Sequence, residues 1–413
     1  MKKLKAIDLY SGIGGWSLGL KLNGIEVIHS FEWWNQAVET ANKNLGKSER
    51  TQDIREMSFS NLKSQKIDIV VGSPPCTQFS YSNRGGSGDL EDGIKDLYQF
   101  FKCIKVIKPK FWAMENVPRV ANVLITESQK GGQLHEFKKI IDGGFVEVLN
   151  MREFGVPQKR KRCIASNINL ELLKSYRNLT EEVNLGDVLD CLSKEKIRDP
   201  NFKVTTSKNF LTEIEKEEPL NSEEQRMNRD MKRNHPIYNR MSFPEDLNQP
   251  ARTITATCTR VSRESLIVED NRKLRRLSVR ERASIQGFPI NYEFHGSSHS
   301  NKLKMIGNAI PPKFTYFVAA AMKGIKPKDL ILPEKVEVFL EKSLSEKTSP
   351  DTQSKKYPKT RSFKFALPDF NFKSGTRFEV NNSEGKFKCF FFYGDSKRIK
   401  EINLEKLIFN KLE

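Results

Sequence analysis

Short apolar runs alternate with amphipathic stretches through the first part of the chain. Apolar runs of this length predict buried strands, over residues 5–10, 25–31, 67–71, 110–114, 144–150 and 163–165. Apolar positions at helical spacing predict helices, from Trp16 onward and over 36–45, 97–107 and 314–322. Strands that alternate with helices are typical of an α/β fold, a doubly wound parallel sheet covered by helices. Ligands of such sheets bind at the carboxyl ends of the strands.

The first predicted strand runs into a glycine turn, Ser11–Gly15, which a helix follows at once. Glycines at such a turn let a ligand approach the backbone closely. Ser17 stands where the dinucleotide fingerprint needs its third glycine. The turn therefore disfavours NAD and FAD and favours a smaller ligand that carries adenosine.

Acidic residues flank the next two predicted strands. Glu32 lies about twenty residues after the first glycine, where an acid commonly binds a ribose hydroxyl. Trp33 beside it could lie flat on an adenine, although a surface glutamate and a core tryptophan remain the alternative. Asp53 precedes the third strand and is suited to accept a hydrogen bond from an adenine amino group.

A single thiol follows the third strand, in the stretch Gly72–Ser80. Pro74 and Pro75 fix the backbone and prevent a helix, so Cys76 is held on a stiff turn at the carboxyl edge of the sheet. Cysteine is the most nucleophilic side chain near neutral pH when it is accessible and partly ionised. A buried structural cysteine is the alternative, but the prolines and the glycine-rich loop 84–88 favour an exposed turn beside a mobile lid.

The fourth strand ends in the same way, with Glu115 held by the nearby Pro118. Two strand ends at one edge of a parallel sheet should bring Glu115 close to Cys76. A carboxyl group there is a candidate proton donor if burial raises its pKa, and an exposed loop glutamate is the alternative.

Four consecutive cations, Lys159–Arg162, precede the last apolar run. Such a run usually marks a solvated face. Strand alternation would place Arg160 and Arg162 on one side together, where burying both requires an anion or a polar base.

Composition narrows the class of partner. The 413 residues include 70 Lys and Arg against 52 Asp and Glu, a net charge of +18 that favours a polyanion, nucleic acid before membrane surface. A solvated basic surface is the plainer alternative. Six cysteines without a CxxC or a Cys/His cluster predict reduced thiols and no metal site. No apolar run is long enough to cross a bilayer and no signal peptide begins the chain, so we expect a cytoplasmic protein.

Together these stretches resemble the DNA (cytosine-5) methyltransferases of bacterial restriction–modification systems. The resemblance covers about residues 4–325 and rests on six blocks in the family's order: Asp8–Gly15, Pro74–Cys76, Glu115–Val117, Gln158–Arg162, Arg276–Pro289 and Gly307–Asn308. One position departs, because Thr77 stands directly after the cysteine where the family usually has Gln, and Gln78 follows.

The resemblance implies a Rossmann-like, S-adenosylmethionine-dependent methyltransferase sheet, a smaller mixed target-recognition domain and a C-terminal β-rich appendage. S-adenosylmethionine would lie over the glycine turn, with Tyr10 and Trp33 beside the adenine and Glu32 on the ribose. Asp53 and Ile54 would meet the purine edge. Further cofactor-binding residues implied by the resemblance are Gly12, Ile13, Gly14, Gly15, Pro75, Leu97, Asn308 and Ile310.

The same resemblance implies a mechanism on a cytosine that is flipped out of the duplex. Cys76 would attack C6, and Glu115 would protonate or hydrogen-bond N3 and the exocyclic amine. Arg162 would bind O2, while Arg160 would support the site and lower the pKa of the thiol. The residues expected to contact DNA are Ser80, Arg84, Arg252, Thr253 and Arg260.

The implied domains are a catalytic domain, a recognition domain, a segment that returns to the sheet, and a linker with a basic appendage: 1–166, 167–271, 272–326 and 343–413. Between Lys355 and Lys400 the appendage has twelve Lys or Arg and four Asp or Glu, and it could contact the DNA backbone or be a plain folded cap. Double-stranded DNA is the expected partner of a monomer, with a cognate endonuclease as a functional partner. An RNA (tRNA) methyltransferase, a catalytically inactive DNA-binding module and a nicotinamide oxidoreductase are the competing hypotheses.

Overall fold

The computed structural model describes residues 3–76, 79, 90–233, 241–256, 258–341, 344–350 and 352, and the backbone of 377–383, 386–392 and 401–403. The described residues form two compact units, a larger one within residues 1–353 and a smaller one that contains the last three strands.

The larger unit contains twelve strands among its described residues: β1 (Lys5–Leu9), β2 (Glu26–Phe31), β3 (Ile69–Gly72), β4 (Phe111–Asn116), β5 (Phe145–Asn150), β6 (Gln158–Lys159), β7 (Lys161–Ser166), β8 (Lys196–Arg198), β9 (Thr205–Ser207), β10 (Ala251–Arg252), β11 (Ile267–Asp270) and β12 (Lys273–Arg276). Its described helices are α1 (Gly15–Leu22), α2 (Asn35–Leu45), α3 (Leu90–Ile107), α4 (Val120–Glu127), α5 (Lys138–Asp142), α6 (Leu170–Lys174), α7 (Leu185–Ser193), α8 (Ser222–Lys232), α9 (Val279–Ile285), α10 (His299–Asn308) and α11 (Pro312–Met322).

Six strands form the central sheet in the order β2-β1-β3-β4-β7-β5. The first four are parallel neighbours, whereas β7 runs antiparallel to both β4 and β5. The order steps outward in both directions from β1 and β3, as in doubly wound α/β folds. The predicted fold class is confirmed, and within the central sheet only β7 runs against the direction of the other five strands.

Both faces of the sheet are buried, which explains the continuous apolar runs in the sequence. Ile7, Leu9 and Val70 pack on one face with Leu97 and Phe100 of α3. On the other face, a second cluster brings strand residues together with α1 and α11, and includes Ala6, Val71, Trp16, Phe314 and Phe317. Gly19 lets α1 and α11 approach closely, because a Cβ there would lie 2.6 Å from the backbone nitrogen of Tyr316.

A third apolar cluster joins the polar stretch after residue 167 to the later helices. It includes Val188, Ile197 and Val268 together with Phe288 and Ile306. Sparse apolar positions therefore build a core through contacts between distant segments. Ser278 and Glu281 have the Ser-x-x-Glu spacing of a capping box, and such a box begins α9: Ser278 Oγ accepts from the Glu281 amide at 3.2 Å and Glu281 Oε2 accepts from the Ser278 amide at 2.8 Å.

The start of the predicted linker packs on the larger unit. Ser345 is buried, and the amide of Thr348 donates to Glu213 at 2.7 Å. In the smaller unit, β13 (Arg377–Ser383), β14 (Lys386–Phe392) and β15 (Glu401–Asn403) pair antiparallel. The predicted β-rich appendage is confirmed by these strands. Among the described helices, none has both the length and the apolar composition that a membrane span needs.

Candidate active site

The turn that carries Cys76 is fastened to its neighbours on both sides. β3 ends at Gly72, which pairs in parallel with Met114 of β4. Beyond the strand, Asn116 Nδ2 donates to the Pro74 carbonyl at 3.0 Å. Trp16 Nε1 donates to Ser73 Oγ, also at 3.0 Å. The end of β4 and the first helix thus hold the backbone that presents the thiol.

Glu115 and Arg162 form an ion pair at the same edge of the sheet. Arg162 Nε lies 3.0 Å from Glu115 Oε1, and the two side chains are only 13% and 6% exposed. The pair forms because β7 runs antiparallel beside β4, with Ile164 opposite Glu115. The guanidinium also donates from Nη1 to the Lys161 carbonyl at 2.8 Å.

Cys76 lies within the electrostatic range of this pair and of Arg160. Burial raises the pKa of the Cys76 thiol, and the Glu115 carboxylate adds to that rise. The guanidinium groups of Arg162 and Arg160 oppose it and favour the thiolate. Sequence reasoning anticipated the lowering by Arg160, but not that burial would prevail and keep the pKa of the thiol above its ordinary value.

Arg160 and Arg162 lie within electrostatic range of each other, although Arg160 belongs to neither strand. It lies between β6 and β7, where its amide bonds the Gln158 carbonyl at 2.9 Å and interrupts the strand alternation. Its side chain is 1% exposed. The guanidinium donates to three carbonyls, to Ile254 at 2.9 Å and to Gly307 and Ala309 at 3.2 Å.

Burial lowers the pKa of Arg160 to about 9, and the repulsion from Arg162 adds to the effect. Arg160 therefore stays cationic at neutral pH, and the acceptors of its two Nη groups are backbone carbonyls rather than the anion or base that the sequence suggested. It ties the segment after β10 to the loop after α10.

Gln158 also holds distant segments together. Sequence reasoning did not predict this role. Gln158 is fully buried, and its Nε2 donates to the Ile285 carbonyl at 3.0 Å and to Gln286 Oε1 at 2.7 Å. Its Oε1 accepts from the Ile254 amide at 3.0 Å. A glutamine next to a run of cations was the only signal in the sequence, and it does not reveal partners about a hundred residues away.

The glycine turn has two kinds of glycine. Gly12, at φ +52°, faces open space where a Cβ would stand. Gly15 instead allows close packing, because its Cβ would lie 2.2 Å from the Ile310 carbonyl oxygen. Ile13 and Ile310 are buried, whereas Asn308 is exposed. The open side of the turn is therefore at Gly12, and Gly15 joins the turn to the loop after α10.

The alternative of a surface glutamate and a core tryptophan is reversed, because Glu32 is buried and Trp33 is exposed. Glu32 is buried, and its carboxylate accepts from the amides of Gly12 and Trp34 at 2.9 Å each. Burial raises its pKa, and these amide hydrogen bonds oppose the rise. Trp33 is 68% exposed. The glutamate therefore braces the glycine turn, and the tryptophan presents a ring outside the core.

The other predicted cofactor residues lie near the start of α3. Tyr10 is buried at φ +53°, and its hydroxyl donates to Asp96 Oδ1 at 3.2 Å. Asp53 is exposed and caps a 3₁₀ turn, Ile54–Glu56, in which Ile54 is buried. Leu97 is fully buried. Pro75 is half-buried on the turn that carries Cys76.

Comparison with known proteins decides the family. Residues 4–324 match the family model of C-5 cytosine-specific DNA methylases. The chain belongs to this family. The match confirms the predicted DNA cytosine-5 methyltransferase, and it favours neither an RNA enzyme nor an inactive binding module.

The sequence matches between this methyltransferase and its relatives cover nearly the whole length of each relative. The Type II methyltransferase M.FnuDI of Fusobacterium nucleatum is 27% identical over 341 residues, which cover 78% of this chain and 94% of the relative. The Type II methyltransferase M.HindV of Haemophilus influenzae is 29% identical over 332 residues, which cover 77% and 96%.

Solved structures share the fold at low identity. Entamoeba histolytica methyltransferase EhMeth superposes with a TM-score of 0.55 at 14% identity, covering 78% of this chain and 99% of that one. The S. pombe Dnmt2 methyltransferase gives a TM-score of 0.52 at 17% identity with the same coverage.

The residues of the methyltransferase that were predicted to contact DNA have diverse environments. Ser80 and Arg84 lie outside the described residues. Arg252 pairs with Glu245 at 2.6 Å. Arg260 is 4% exposed and bonds Glu224 at 2.7 Å. Thr253 donates from Oγ1 to the Lys159 carbonyl at 2.9 Å, beside the four-cation run. DNA contact by these residues stays a prediction, and both described arginines are committed to internal carboxylates.

Among the described residues, no group of three or more His, Cys, Asp or Glu side chains could hold a metal ion.

Proposed function

We propose that the protein uses S-adenosylmethionine to methylate C5 of cytosine at a specific double-stranded DNA sequence, through a covalent bond between Cys76 and C6. The observation that carries the proposal is the convergence of Cys76, Glu115 and Arg162 at one edge of the sheet. These are a nucleophile, a carboxyl group and a fixed cation, the groups that addition to a pyrimidine ring requires.

The residues around the glycine turn fit an adenosine-bearing cofactor. Gly12 leaves space on its open side, and the exposed ring of Trp33 offers a stacking surface next to it. Both oxygens of Glu32 already accept amide hydrogen bonds, and each retains a lone pair for a ribose hydroxyl. When bound, S-adenosylmethionine supplies an electrophilic methyl group.

The side chains of the site then have defined roles toward a flipped cytosine. The Cys76 thiol loses its proton to solvent, the thiolate sulfur forms a bond to C6, and the electron pair of the C5–C6 double bond moves to C5, which becomes nucleophilic. Glu115 holds a proton at N3, and Arg162 fixes the carboxyl group and faces the O2 side. After methylation, loss of the C5 proton returns the electron pair to the ring and breaks the C–S bond.

Arg160 and Gln158 support the site without touching the base. Their hydrogen bonds hold Ile254, next to the proposed DNA contact Thr253, and the end of α10 at Gly307, next to Asn308. We therefore propose that Arg160 and Gln158 are positioning residues. They keep the proposed recognition segment within 167–271 and the proposed cofactor residue Asn308 in fixed relative positions.

The biological role that we propose is modification in a restriction–modification system, where the enzyme protects host DNA in the cytoplasm from a cognate endonuclease. The Type II methyltransferases that are similar to this chain support this role. We propose residues 1–166 and 272–326 as the catalytic domain and 343–413 as an addition to it.

Incubation with methyl-labelled S-adenosylmethionine and mixed-sequence duplex DNA tests the proposal. We expect 5-methylcytosine, detected by mass spectrometry, in one sequence context identified by bisulfite sequencing. Equal labelling of tRNA and duplex DNA, or label on an exocyclic amine, would contradict it.

A further inference from the structure

A cluster of charged side chains joins three elements on the adenosine side of the proposed cofactor site. Arg55, in the turn Ile54–Glu56, donates from Nε to Asp96 Oδ1 at 2.9 Å and from Nη2 to Asp96 Oδ2 at 2.6 Å. Its Nη1 reaches Asp92 Oδ1 at 2.8 Å, and Nη2 also bonds the Asp92 carbonyl at 3.0 Å. Both aspartates belong to the first turns of α3, one helical turn apart.

The same cluster reaches the end of β1. The Tyr10 hydroxyl donates to Asp96 Oδ1 and to the Asp96 carbonyl, at 3.2 Å each. Tyr10 has φ +53°, a conformation that costs a non-glycine residue free energy and requires support from its surroundings. The hydroxyl bonds of Tyr10 to Asp96 provide such support.

Backbone contacts of Arg55 extend the cluster in the other direction. Its amide donates to Asp53 Oδ1 at 2.9 Å, and its carbonyl accepts from Gln99 Nε2 at 2.8 Å. Tyr10, Asp53, Ile54 and Leu97 were each predicted to bind the cofactor, and they stand on three separate elements. The Arg55 guanidinium connects the turn to α3, and Asp96 extends the connection to Tyr10.

The charges of this cluster explain why Arg55 should hold the turn Ile54–Glu56 strongly to α3. Asp96 is only 4% exposed, and its carboxylate meets the planar fork of Arg55 with two hydrogen bonds, the geometry that lysine cannot reproduce. The two aspartates raise the pKa of Arg55 above its ordinary value, and Arg55 holds the pKa of Asp92 below its usual range. Removing the guanidinium would leave a buried carboxylate without its counter-charge.

We propose that Arg55 is a positioning residue that clamps the start of α3 and Tyr10 against the Asp53 turn and so sets the shape of the adenosine-binding side of the site. This inference rests on the proposed use of S-adenosylmethionine. Arg55 touches no reacting atom in this account, so its loss should weaken cofactor binding while the chemistry at Cys76 remains.

Calorimetric titration of the full-length protein with S-adenosylmethionine and with S-adenosylhomocysteine tests the clamp. We expect Arg55→Gln to raise both Kd values about tenfold, the usual size of coupling within one network, and Arg55→Lys to fall between wild type and Arg55→Gln. The rate at saturating cofactor should stay within about threefold of wild type. Asp92→Asn should also raise both Kd values, but by less, because it removes only the half-exposed one of the two carboxylates that pair with Arg55.

Arg226→Gln is the matched control. Arg226 also bonds two carboxylates, Glu223 at 2.8 Å and Asp230 at 3.0 Å, but all three lie on α8. It should leave both Kd values unchanged. Tyr10→Phe combined with Arg55→Gln should raise the Kd less than the product of the single effects, because both act through Asp96.

The outcomes separate this inference from the proposed function. A wild-type protein that binds neither compound contradicts the cofactor itself. A wild-type protein that binds normally, with Arg55→Gln and Asp92→Asn unchanged in Kd, overturns the clamp alone. Equal loss in Arg226→Gln, or a rate at saturating cofactor that falls as much as affinity does, also overturns it.

Discussion

Arg160, at the catalytic edge, differs from two buried arginines of the segment after β10 in the groups that accept its hydrogen bonds. Arg260 and Arg280 are buried against glutamates, Glu224 at 2.7 Å and Glu293 at 2.6 Å. Arg160 has only backbone carbonyls among its hydrogen-bond acceptors in the described residues. Internal carboxylates thus neutralise Arg260 and Arg280, while Arg160 keeps its positive potential near the thiol of Cys76.

This difference shows that a basic sequence does not by itself mark a DNA-binding surface. The net charge of +18 correctly favours nucleic acid for the whole chain. The net charge does not identify the cations that contact the phosphates, because this depends on which cations the Asp and Glu side chains pair with in the folded protein. Arg252 and Arg260, which were both predicted to contact DNA, each form an ion pair with a buried glutamate.

The largest effect should come from the nucleophile. Cys76→Ala removes the sulfur that forms the bond to C6, so we expect methyl transfer to fall by at least about 10⁴-fold. Duplex DNA should still bind, as gel shifts would show. Activity within tenfold of wild type would contradict a covalent role.

Loss of the carboxyl group should be the next largest effect. Glu115→Gln keeps the size of the side chain but removes its acid function and its ion pair with Arg162. We expect kcat to fall by about 10²- to 10⁴-fold, the range for general acid catalysis. Single-turnover methylation at saturating DNA measures this change, and an unchanged rate would remove Glu115 from the mechanism.

Arg260→Met tests the other side of the comparison. Because it leaves Glu224 buried without its partner, we expect the free energy of unfolding to fall by about 3–5 kcal/mol. Denaturant titration measures the change. The slope of DNA affinity against salt should stay the same. A slope reduced by about one, with stability intact, would instead make Arg260 a phosphate contact.

The pH dependence of Cys76 alkylation tests how the charges at the catalytic edge act on the thiol. Since burial and Glu115 raise the pKa of Cys76, its alkylation rate in the free enzyme should rise with pH through a midpoint above that of an ordinary thiol. Glu115→Gln should move the midpoint down, and Arg162→Gln should move it up. Mass spectrometry of Cys76 after timed alkylation reports both shifts, and opposite signs would refute the electrostatic account.

The smallest effect should follow deletion of residues 354–413. The family match ends at residue 324 and the larger unit is compact within residues 1–353, so we expect methylation to stay within about threefold of wild type. A large fall in DNA affinity at low salt only would assign the basic appendage to the DNA backbone.

Sequence reasoning predicted the features that depend on local pattern. The strand that ends before Cys76, the strand whose last residues are Glu115 and Asn116, and the parallel pairing between the two follow from apolar runs that are followed by proline. The capping box at Ser278 is likewise local.

The features that were missed depend on long-range partners. The hydrogen-bond partners of Arg160 were missed, because they are carbonyls about ninety to a hundred and fifty residues away. Arg260 meets an acid 36 residues upstream, and Arg55 meets Asp96 41 residues downstream. A single sequence has no periodic signal for such pairs, because they depend on how the elements pack.

Trapping on a duplex that contains 5-fluorocytosine tests the central claim most directly. Fluorine at C5 takes the place of the proton whose loss breaks the C–S bond, so the covalent complex should persist after methyl transfer. We predict a denaturation-resistant adduct that requires S-adenosylmethionine and maps by peptide mass spectrometry to Cys76. No adduct in a protein that methylates DNA, or an adduct that persists in Cys76→Ala, would contradict the account.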